Sequence, residues 1–271
     1  MDWKTVRLKS FLAAKTVRHR LQPGGAGSSR VLLVPGVQRS GTNMIMEVLE
    51  QSWQTDVYHE IDRRAFENYA LRDMATLKRV HARSGAELLV LKALLDAHRT
   101  RELLDAFSPS QALWIYRHFD DMVNSNMVSW PGGRNRIELL FEDPEKTGYR
   151  AKGMTPATLK TVKEHYRDGM NDASAIALFW YYRNQLFFDQ KLDEDDRVVT
   201  LRYEDVVTKP HETLPPLFQA LGLDFSEKCA SFIHPRSIGK RPPPDILPHI
   251  RELCDTMMDR LSEAHRERGP S

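Results

Sequence analysis

The chain has 271 residues, of which 41% are hydrophobic and 28% charged, with a formal net charge of +2 and two cysteines. This composition is typical of a globular protein with a full hydrophobic core, and it excludes a disordered chain or a disulfide scaffold. The cysteines, Cys229 and Cys254, lack the spacing of metal ligands. We therefore expect them to be packing residues in a reducing, cytoplasmic compartment.

Positive charge is concentrated at the N-terminus. Residues 1–30 carry seven Lys or Arg and one Asp, whereas the rest of the chain carries 32 basic and 36 acidic residues. The body of the protein therefore does not favour nucleic-acid binding. In the basic segment, cations alternate with apolar residues, which fits either a helix on an anionic membrane surface or a helix that docks on its own domain or frays. We predict a basic helix and linker over residues 1–29, with peripheral membrane contact through residues 1–25 as one of these alternatives.

Residues 30–271 are predicted to form a single α/β domain. Short, nearly continuous apolar runs alternate with stretches of helical period, at 66–82 and 100–107 among others. Apolar runs of this kind are typical of parallel strands that are buried on both faces. The sequence therefore predicts a three-layer sandwich around a central parallel sheet, with strands at "RVLLV" (30–34), "ELLVLK" (87–92), "ALWIYR" (112–117) and "RVVTLR" (197–202).

The second half of the chain is predicted to be rich in helices. Thr155 followed by proline is a typical helix start, and Asn171 can cap the next helix. Gly222 is a predicted helix stop and Ser226 a predicted start. A last helix is expected from about Asp245. The aromatic stretch "FWYYRNQLFF" (179–188) offers Trp180 and Tyr181 for stacking on an adenine, but burial in the core is the better interpretation.

The first predicted strand leads into the segment "VPGVQRSGTN" (34–43) and then a helix that begins near Thr42. A strand, a glycine-bearing turn and a helix N-terminus form a typical anion cradle. Gly36 and Gly41 fit the spacing of a nucleotide-triphosphate loop, but Thr42 stands at its lysine position and Asn43 at its magnesium-holding hydroxyl. Arg39 supplies a guanidinium suited to an oxyanion instead.

Two more motifs follow predicted strands. Arg117 ends the strand at 112–117, and Ser125 comes eight positions later on the next predicted helix, where the two could hold a phosphate from two sides. "LRYEDVVTKP" (201–210) ends another strand; we interpret Glu204 and Asp205 as structural residues of its loop rather than as a catalytic pair. In an open parallel sheet, ligands bind beyond the carboxyl ends of the strands, where all three motifs lie.

In this order, the three motifs resemble those of the sulfotransferases that use 3′-phosphoadenosine 5′-phosphosulfate (PAPS). That family has a G-x-x-R-S-G-T loop, an Arg with a Ser eight residues on, and a later R-Y-E-D, which match Gly36–Thr42, Arg117 with Ser125, and Arg202–Asp205. The resemblance covers residues 31 to about 210. It implies a P-loop-like loop that holds the phosphosulfate without a metal, and transfer of the sulfuryl group to an acceptor hydroxyl of a carbohydrate, glycolipid or small molecule.

The chain departs from the family pattern at two places. Asn43 stands where the family often has a second Thr, and Lys92 is followed by Ala and Leu where many cytosolic members have Thr and a catalytic His. Family members that act on sugars or on protein tyrosine usually place a catalytic Glu about two dozen residues past the loop arginine. Glu60 stands 21 positions after Arg39 and is our first candidate for the base, with His59 as its rival. Asp96 and His98 are less favoured.

The resemblance also assigns binding roles. Arg39 and Lys92 are expected to stabilise the charge that develops during transfer, and backbone amides of Ser40–Asn43 with the Thr42 hydroxyl to hold the 5′-phosphate. Arg117 and Ser125 are expected to hold the 3′-phosphate. A later basic loop, "RSIGKR", resembles the family segment that closes over the cofactor, which makes weaker candidates of Arg236, Ser237, Gly239 and Lys240.

Two other functions are compatible with the sequence. The first is a P-loop kinase or nucleotide triphosphatase, although the loop has no lysine and no metal ligand. The second is a protein that has kept the fold and lost activity, such as a binder of 3′,5′-adenosine bisphosphate (PAP) or a membrane adaptor.

Overall fold

A computed structural model describes residues 3–21, 27–235 and 238–270, without the side chains of residues 3–9. The described chain contains helices and strands in the alternating order that the sequence predicts, joined by short 3₁₀ turns. The strands are β1 (Arg30–Leu33), β2 (Thr55–Tyr58), β3 (Phe66–Glu67), β4 (Ala70–Leu71), β5 (Leu88–Leu91), β6 (Ser110–Tyr116) and β7 (Val198–Arg202). The helices of the first part are α1 (Trp3–Leu21), α2 (Thr42–Glu50), α3 (Met74–Arg83), α4 (Thr100–Ala106), α5 (Phe119–Ser129) and α6 (Gly133–Glu142). Those of the second part are α7 (Pro156–His165), α8 (Asp172–Asp189), α9 (Tyr203–Thr208), α10 (Pro210–Ala220) and α11 (Pro248–Arg268).

Five strands form one parallel sheet in the order β2-β5-β1-β6-β7. Successive side chains of β1 enter opposite cores: Val31 and Leu33 pack on the face covered by α5, α8 and α11, and Leu32 packs on the face covered by α2 and α10. Because both faces are covered, every residue after Arg30 in β1 is apolar and buried. The four predicted strands and the three-layer α/β architecture are confirmed.

The helix signals after residue 150 are confirmed at the side-chain level. The Thr155 hydroxyl accepts a hydrogen bond from the Thr158 amide at 3.1 Å. The side-chain oxygen Oδ1 of Asn171 accepts one from the Ser174 amide at 2.8 Å, so each residue caps a helix. Gly222 has φ +62° just after α10, a left-handed conformation that suits a helix stop. Ser226 precedes only a 3₁₀ turn, and the last helix begins at Pro248, three residues later than predicted.

One predicted helix is partly wrong. The stretch 66–82 is helical only from Met74, because residues 66–71 form the two-stranded hairpin of β3 and β4. Asn68 and Tyr69 both have positive φ, as a tight hairpin turn requires. The Asp73 carboxylate accepts from the Thr76 amide at 2.9 Å and fixes the helix start. Local turn and cap chemistry therefore overrides the helical spacing of the apolar residues.

Helix α1 lies against the sheet domain. Lys15 is 4% exposed, and its Nζ donates to Glu50 O at 2.8 Å and to Thr55 Oγ1 at 2.9 Å. His19 Nε2 lies 2.9 Å from Trp53 O, and Phe11 packs edge-on against the Trp53 ring at 4.5 Å. No helix within the described ranges is long and apolar enough to cross a membrane.

Candidate functional site

The loop between β1 and α2 lies at the carboxyl edge of the sheet. Gly36 pairs with Ile115 of β6 through an isolated parallel bridge, which fixes the start of the loop. Arg39 has φ +69° and Gly41 has φ +97° immediately before α2. A Cβ at position 41 would lie 2.2 Å from Tyr203 Cδ2. Only glycine therefore allows the loop to approach the Tyr203 ring so closely.

Polar side chains of this loop are buried without protein partners. The Ser40 hydroxyl is fully buried, Gln38 is 7% exposed, and neither has a hydrogen-bond partner for its side chain among the described residues. Buried polar groups are normally satisfied, so such groups beside a helix N-terminus fit a bound oxyanion. The polar groups of the loop are therefore suited to a phosphate or phosphosulfate.

Arg39, Arg117 and Ser125 converge beside the loop. Arg39 Nε donates to Ser125 Oγ at 2.9 Å, and Arg117 donates to the backbone oxygen of Arg39 at 3.2 Å. Arg117 is 5% exposed and its guanidinium stacks on the Tyr203 ring at 4.5 Å. These residues are up to 86 positions apart in the sequence. The parallel pairing of β1 with β6 brings them together.

On the other side of the loop, Lys92 links two candidate residues. Its Nζ lies 2.9 Å from Glu60 Oε2 and donates to Asn43 Oδ1 at 2.5 Å. Lys92 follows β5 and Glu60 follows β2, the two strands next to β1 on that side. The Asn43 side chain, which departs from the family pattern, therefore helps to hold Lys92.

These groups share a cleft of about 930 Å³ at the carboxyl edge of the sheet. The predicted residues in its wall are Arg39, Gly41, Thr42, Asn43, Glu60, Lys92, Arg117 and Ser125. Gly36 and Ser40 are buried at the base of the loop. No group of three or more potential metal ligands occurs in the described parts of the chain.

Other predicted residues lie elsewhere. His59 is not in the cleft wall; its Nε2 lies 3.3 Å from Glu50 Oε1. The Gly239 amide donates to Asp121 Oδ1 at 3.1 Å, which ties the late basic loop to α5, and Lys240 is exposed outside the cleft. Arg236 and Ser237 lie outside the described residues.

Three alternatives from the sequence make structural contacts, and His98 is distinguished by its pKa. Glu204 Oε1 accepts from the His118 amide at 3.0 Å and so joins the ends of β6 and β7. Asp96 accepts from the Leu71 amide at 2.7 Å and anchors the β3–β4 hairpin. Burial and then the positive charge of Arg183 lower the pKa of His98 to about 4, so its imidazole is neutral near pH 7. Trp180 is fully buried in α8, where its indole N–H donates to Arg117 O at 3.1 Å.

Some cleft residues escaped the sequence analysis. They include Gln38, which belongs to the loop, Tyr203, which packs against it, and a group on the outer wall, Tyr69, Trp130, Arg136, Tyr149 and Arg150. Tyr203 stands inside the R-Y-E-D motif, so its position beside Arg202 was a usable signal. Tyr69 lies in the turn between β3 and β4, and the other outer-wall residues follow no strand end. None of them belongs to a motif, and only the folded chain brings them together.

Comparison with known proteins supports the fold but gives no sequence-level relative. No family model matches the chain, and no curated protein matches it by sequence. Among solved structures, a sulfotransferase domain from the curacin biosynthetic pathway superposes with a TM-score of 0.52 at 15% identity, over 86% of this chain and 98% of that one.

Two other structures give a similar result. The sulfotransferase domain of the Synechococcus PCC 7002 olefin synthase has a TM-score of 0.50 at 13% identity, over 87% of this chain and 97% of that one. A sulfotransferase from Alicyclobacillus acidocaldarius also has a TM-score of 0.50, at 14% identity, over 89% of this chain and 95% of that one. The fold implied by the sequence motifs is therefore confirmed: this chain has the sulfotransferase fold.

Proposed function

We propose that the protein is a PAPS-dependent sulfotransferase that transfers the sulfuryl group to an acceptor hydroxyl of a carbohydrate, glycolipid or small molecule. The observation that carries this proposal is the arrangement of the cleft. The anion loop lies between an arginine–serine group at the end of β6 and a lysine–carboxylate pair at the ends of β5 and β2. The arginine–serine side suits a negatively charged donor, and the lysine–carboxylate side suits the transfer of a proton and of the sulfuryl group.

Donor binding is assigned to the loop and to the β6 side. Backbone amides of Ser40–Asn43, the Thr42 hydroxyl and the Arg39 guanidinium would hold the 5′-phosphosulfate at the N-terminus of α2. Arg117 and Ser125 would hold the 3′-phosphate, since a buried arginine forms strong charge-assisted hydrogen bonds with an oxyanion. Gly239 and Lys240, with Arg236 and Ser237, are weaker candidates for contacts to the same donor. When bound, PAPS supplies the activated sulfuryl group.

For the chemical step, the Glu60 carboxylate accepts the proton of the acceptor hydroxyl as general base. Lys92 donates hydrogen bonds to the oxygens of the transferring group, and Arg39 stabilises negative charge that develops on the leaving phosphate. His59 is the less favoured base because Glu60 borders the cleft and His59 does not. Positioning and electrostatics would supply most of the acceleration, as in phosphoryl transfer.

The alternatives receive less support. A P-loop kinase or triphosphatase needs a lysine in the loop and a magnesium-holding hydroxyl, and positions 42 and 43 are Thr and Asn. An inactive PAP-binding protein or membrane adaptor would not need an acid–base pair in the cleft, yet Glu60 and Lys92 both border it.

Thermal shift measurements separate the enzyme classes. PAP without magnesium is expected to raise Tm, and ATP with magnesium to leave it unchanged, because a ligand stabilises only the protein that binds it. Stabilisation by ATP with magnesium alone would favour the kinase interpretation. Labelled PAPS with a panel of glycans, lipids and small hydroxyl compounds then separates an enzyme from an inactive PAP-binding protein.

The N-terminal segment carries a separate proposal. We propose that residues 1–29 form a basic helix and linker and residues 30–271 a single domain, and we infer peripheral membrane contact through residues 1–25. Val17 and Leu21 are 55% and 77% exposed on α1, whereas Lys15 and His19 face the domain. Sedimentation with anionic vesicles should decrease when residues 1–25 are removed; equal sedimentation would refute the contact.

A further inference from the structure

The outer wall of the cleft carries positive charge that the proposed donor site does not use. Arg136 and Arg150 both border the cleft, and the buried Arg183 lies behind them. Within the described ranges, none of the three forms a salt bridge with a carboxylate. The nearest acid on α8, Asp172, is occupied by the backbone amides of Gly132 and Arg134, at 3.2 and 2.8 Å.

The three guanidiniums are held in place by neutral groups. Arg183 is fully buried and donates to Tyr149 O at 3.1 Å, and the Arg183 and Arg150 guanidiniums lie 5.5 and 4.8 Å from the Tyr149 ring centroid. Arg136 donates to Gly132 O at 3.2 Å and to Asn126 Oδ1 at 3.3 Å. Burial, and then the nearby charge of Arg150, lower the pKa of Arg136 from its usual value. Only Arg183 is fully buried, whereas Arg136 and Arg150 are half-buried. Asp172 and Asp96 attract Arg136 and Arg183 but form no salt bridge with them, and Arg150 repels both. Neighbouring cations without a paired carboxylate are costly, so their clustering points to an anion at this wall.

This wall adjoins the reacting side of the cleft. Arg183 contacts Leu94 O at 3.5 Å, and Leu94 follows Lys92 at the end of β5. The Arg150 Nε atom is buried and has no hydrogen-bond partner among the described residues. Through Tyr149 and Arg183, Arg150 is therefore connected to the β5 side, where Lys92 and Glu60 lie, whereas the proposed donor phosphates occupy the loop and the β6 side.

We propose that Arg136 and Arg150 form an acceptor subsite for an anionic group, so that the preferred substrate is a hydroxyl compound that also carries a carboxylate, phosphate or sulfate. This inference rests on the proposed function, because it assumes that the donor occupies the loop. A guanidinium recognises a planar or tetrahedral oxyanion through paired N–H donors, which a neutral acceptor does not satisfy.

Matched pairs of probes test the subsite on the PAP-saturated protein by calorimetry. One pair is p-nitrophenyl β-D-glucuronide and p-nitrophenyl β-D-glucoside, and the other is glycerol 3-phosphate and glycerol. At least one anionic probe is expected to bind roughly tenfold or more tightly than its neutral partner. The affinity for this anionic probe should decrease as salt is added. Preference for the glucuronide alone identifies a carboxylate subsite, and preference for glycerol 3-phosphate alone identifies a phosphate subsite.

Variants then locate the effect. Arg136→Gln and Arg150→Gln should each remove most of the preference, while the affinity for PAP alone changes by less than about twofold. Arg134→Gln, at an exposed arginine two positions before Arg136 on α6, is the matched control and should keep the preference. The subsite is refuted if neither anion is preferred, if the Gln variants keep the preference, or if they weaken PAP binding as strongly as probe binding. Failure of the wild-type protein to bind PAP refutes the proposed function instead.

Discussion

The Lys92 ammonium lies 2.9 Å from the Glu60 carboxylate, although the two residues follow different strands and are separated by 32 positions. Lys92 is 3% exposed, so its charge is balanced at close range inside the protein. Asn43 at the start of α2 accepts a hydrogen bond from the same ammonium. The two candidate reacting groups are thus coupled to each other and to the anion loop, and a change at one of them alters the others.

Glu60→Gln is expected to lower kcat by about 10²- to 10⁴-fold, because the amide cannot accept the proton of the acceptor hydroxyl. The affinity for PAP should change little, since Glu60 pairs with Lys92 and not with the residues assigned to the phosphates. Steady-state kinetics with saturating PAPS and calorimetry with PAP check both expectations. The exposed Glu67→Gln is a matched control. If His59→Gln loses more activity than Glu60→Gln, His59 is the base.

Arg117→Ala is expected to weaken PAP binding by about 10- to 100-fold, which corresponds to the loss of one or two charge-assisted hydrogen bonds. The KM for PAPS should rise accordingly, whereas kcat at saturating donor should change much less. Arg134→Ala is the control for loss of a charge. Unchanged PAP affinity together with loss of turnover would remove Arg117 from the donor site.

Gly41→Ala is expected to destabilise the protein more than Gly132→Ala. Both glycines have positive φ, so each Ala variant loses about 1–2 kcal/mol for backbone strain. Only position 41 adds a steric conflict, because its Cβ would lie 2.2 Å from the Tyr203 ring, whereas a Cβ at position 132 meets nothing within 4 Å. We expect an additional loss of about 1–3 kcal/mol in urea unfolding. Equal losses would mean that the Tyr203 ring moves aside freely.

Stability should depend on pH through Lys15. Burial lowers the pKa of Lys15 from 10.5 to about 8 in the folded protein. The negative charges of Glu50 and Asp56 raise this pKa and offset only part of the decrease. Between about pH 8 and 10.5 the unfolded chain therefore binds more protons at this residue than the folded chain. The free energy of unfolding then rises with pH in this window.

The comparison with Lys15→Met isolates this effect from other titrating groups. The stability of the wild-type protein relative to the variant should increase between pH 8 and pH 10, as measured by urea unfolding. A difference that stays constant over this interval would show that Lys15 remains accessible to water in the folded protein.

Much of the fold could be predicted from the sequence because its signals are local. Runs such as "RVLLV" contain no polar interruption, which suits a strand with two buried faces, and Thr155 and Asn171 cap helices through contacts three residues away. The helix predicted over 66–82 failed in its first part, because a turn at Asn68 and Tyr69 outweighed the apolar spacing.

The sequence by itself determined the anion loop, since Gly36, Arg39, Gly41 and the start of α2 lie within seven residues and act through backbone conformation. Only the tertiary structure decided which distant side chains share the cleft with that loop. Lys92 meets Glu60 because β2 and β5 are neighbours in the sheet, and Arg136 and Arg150 border the same cleft because α8 supports the wall behind them. Strand order and helix packing depend on the whole core, so no local pattern of residues predicts these contacts.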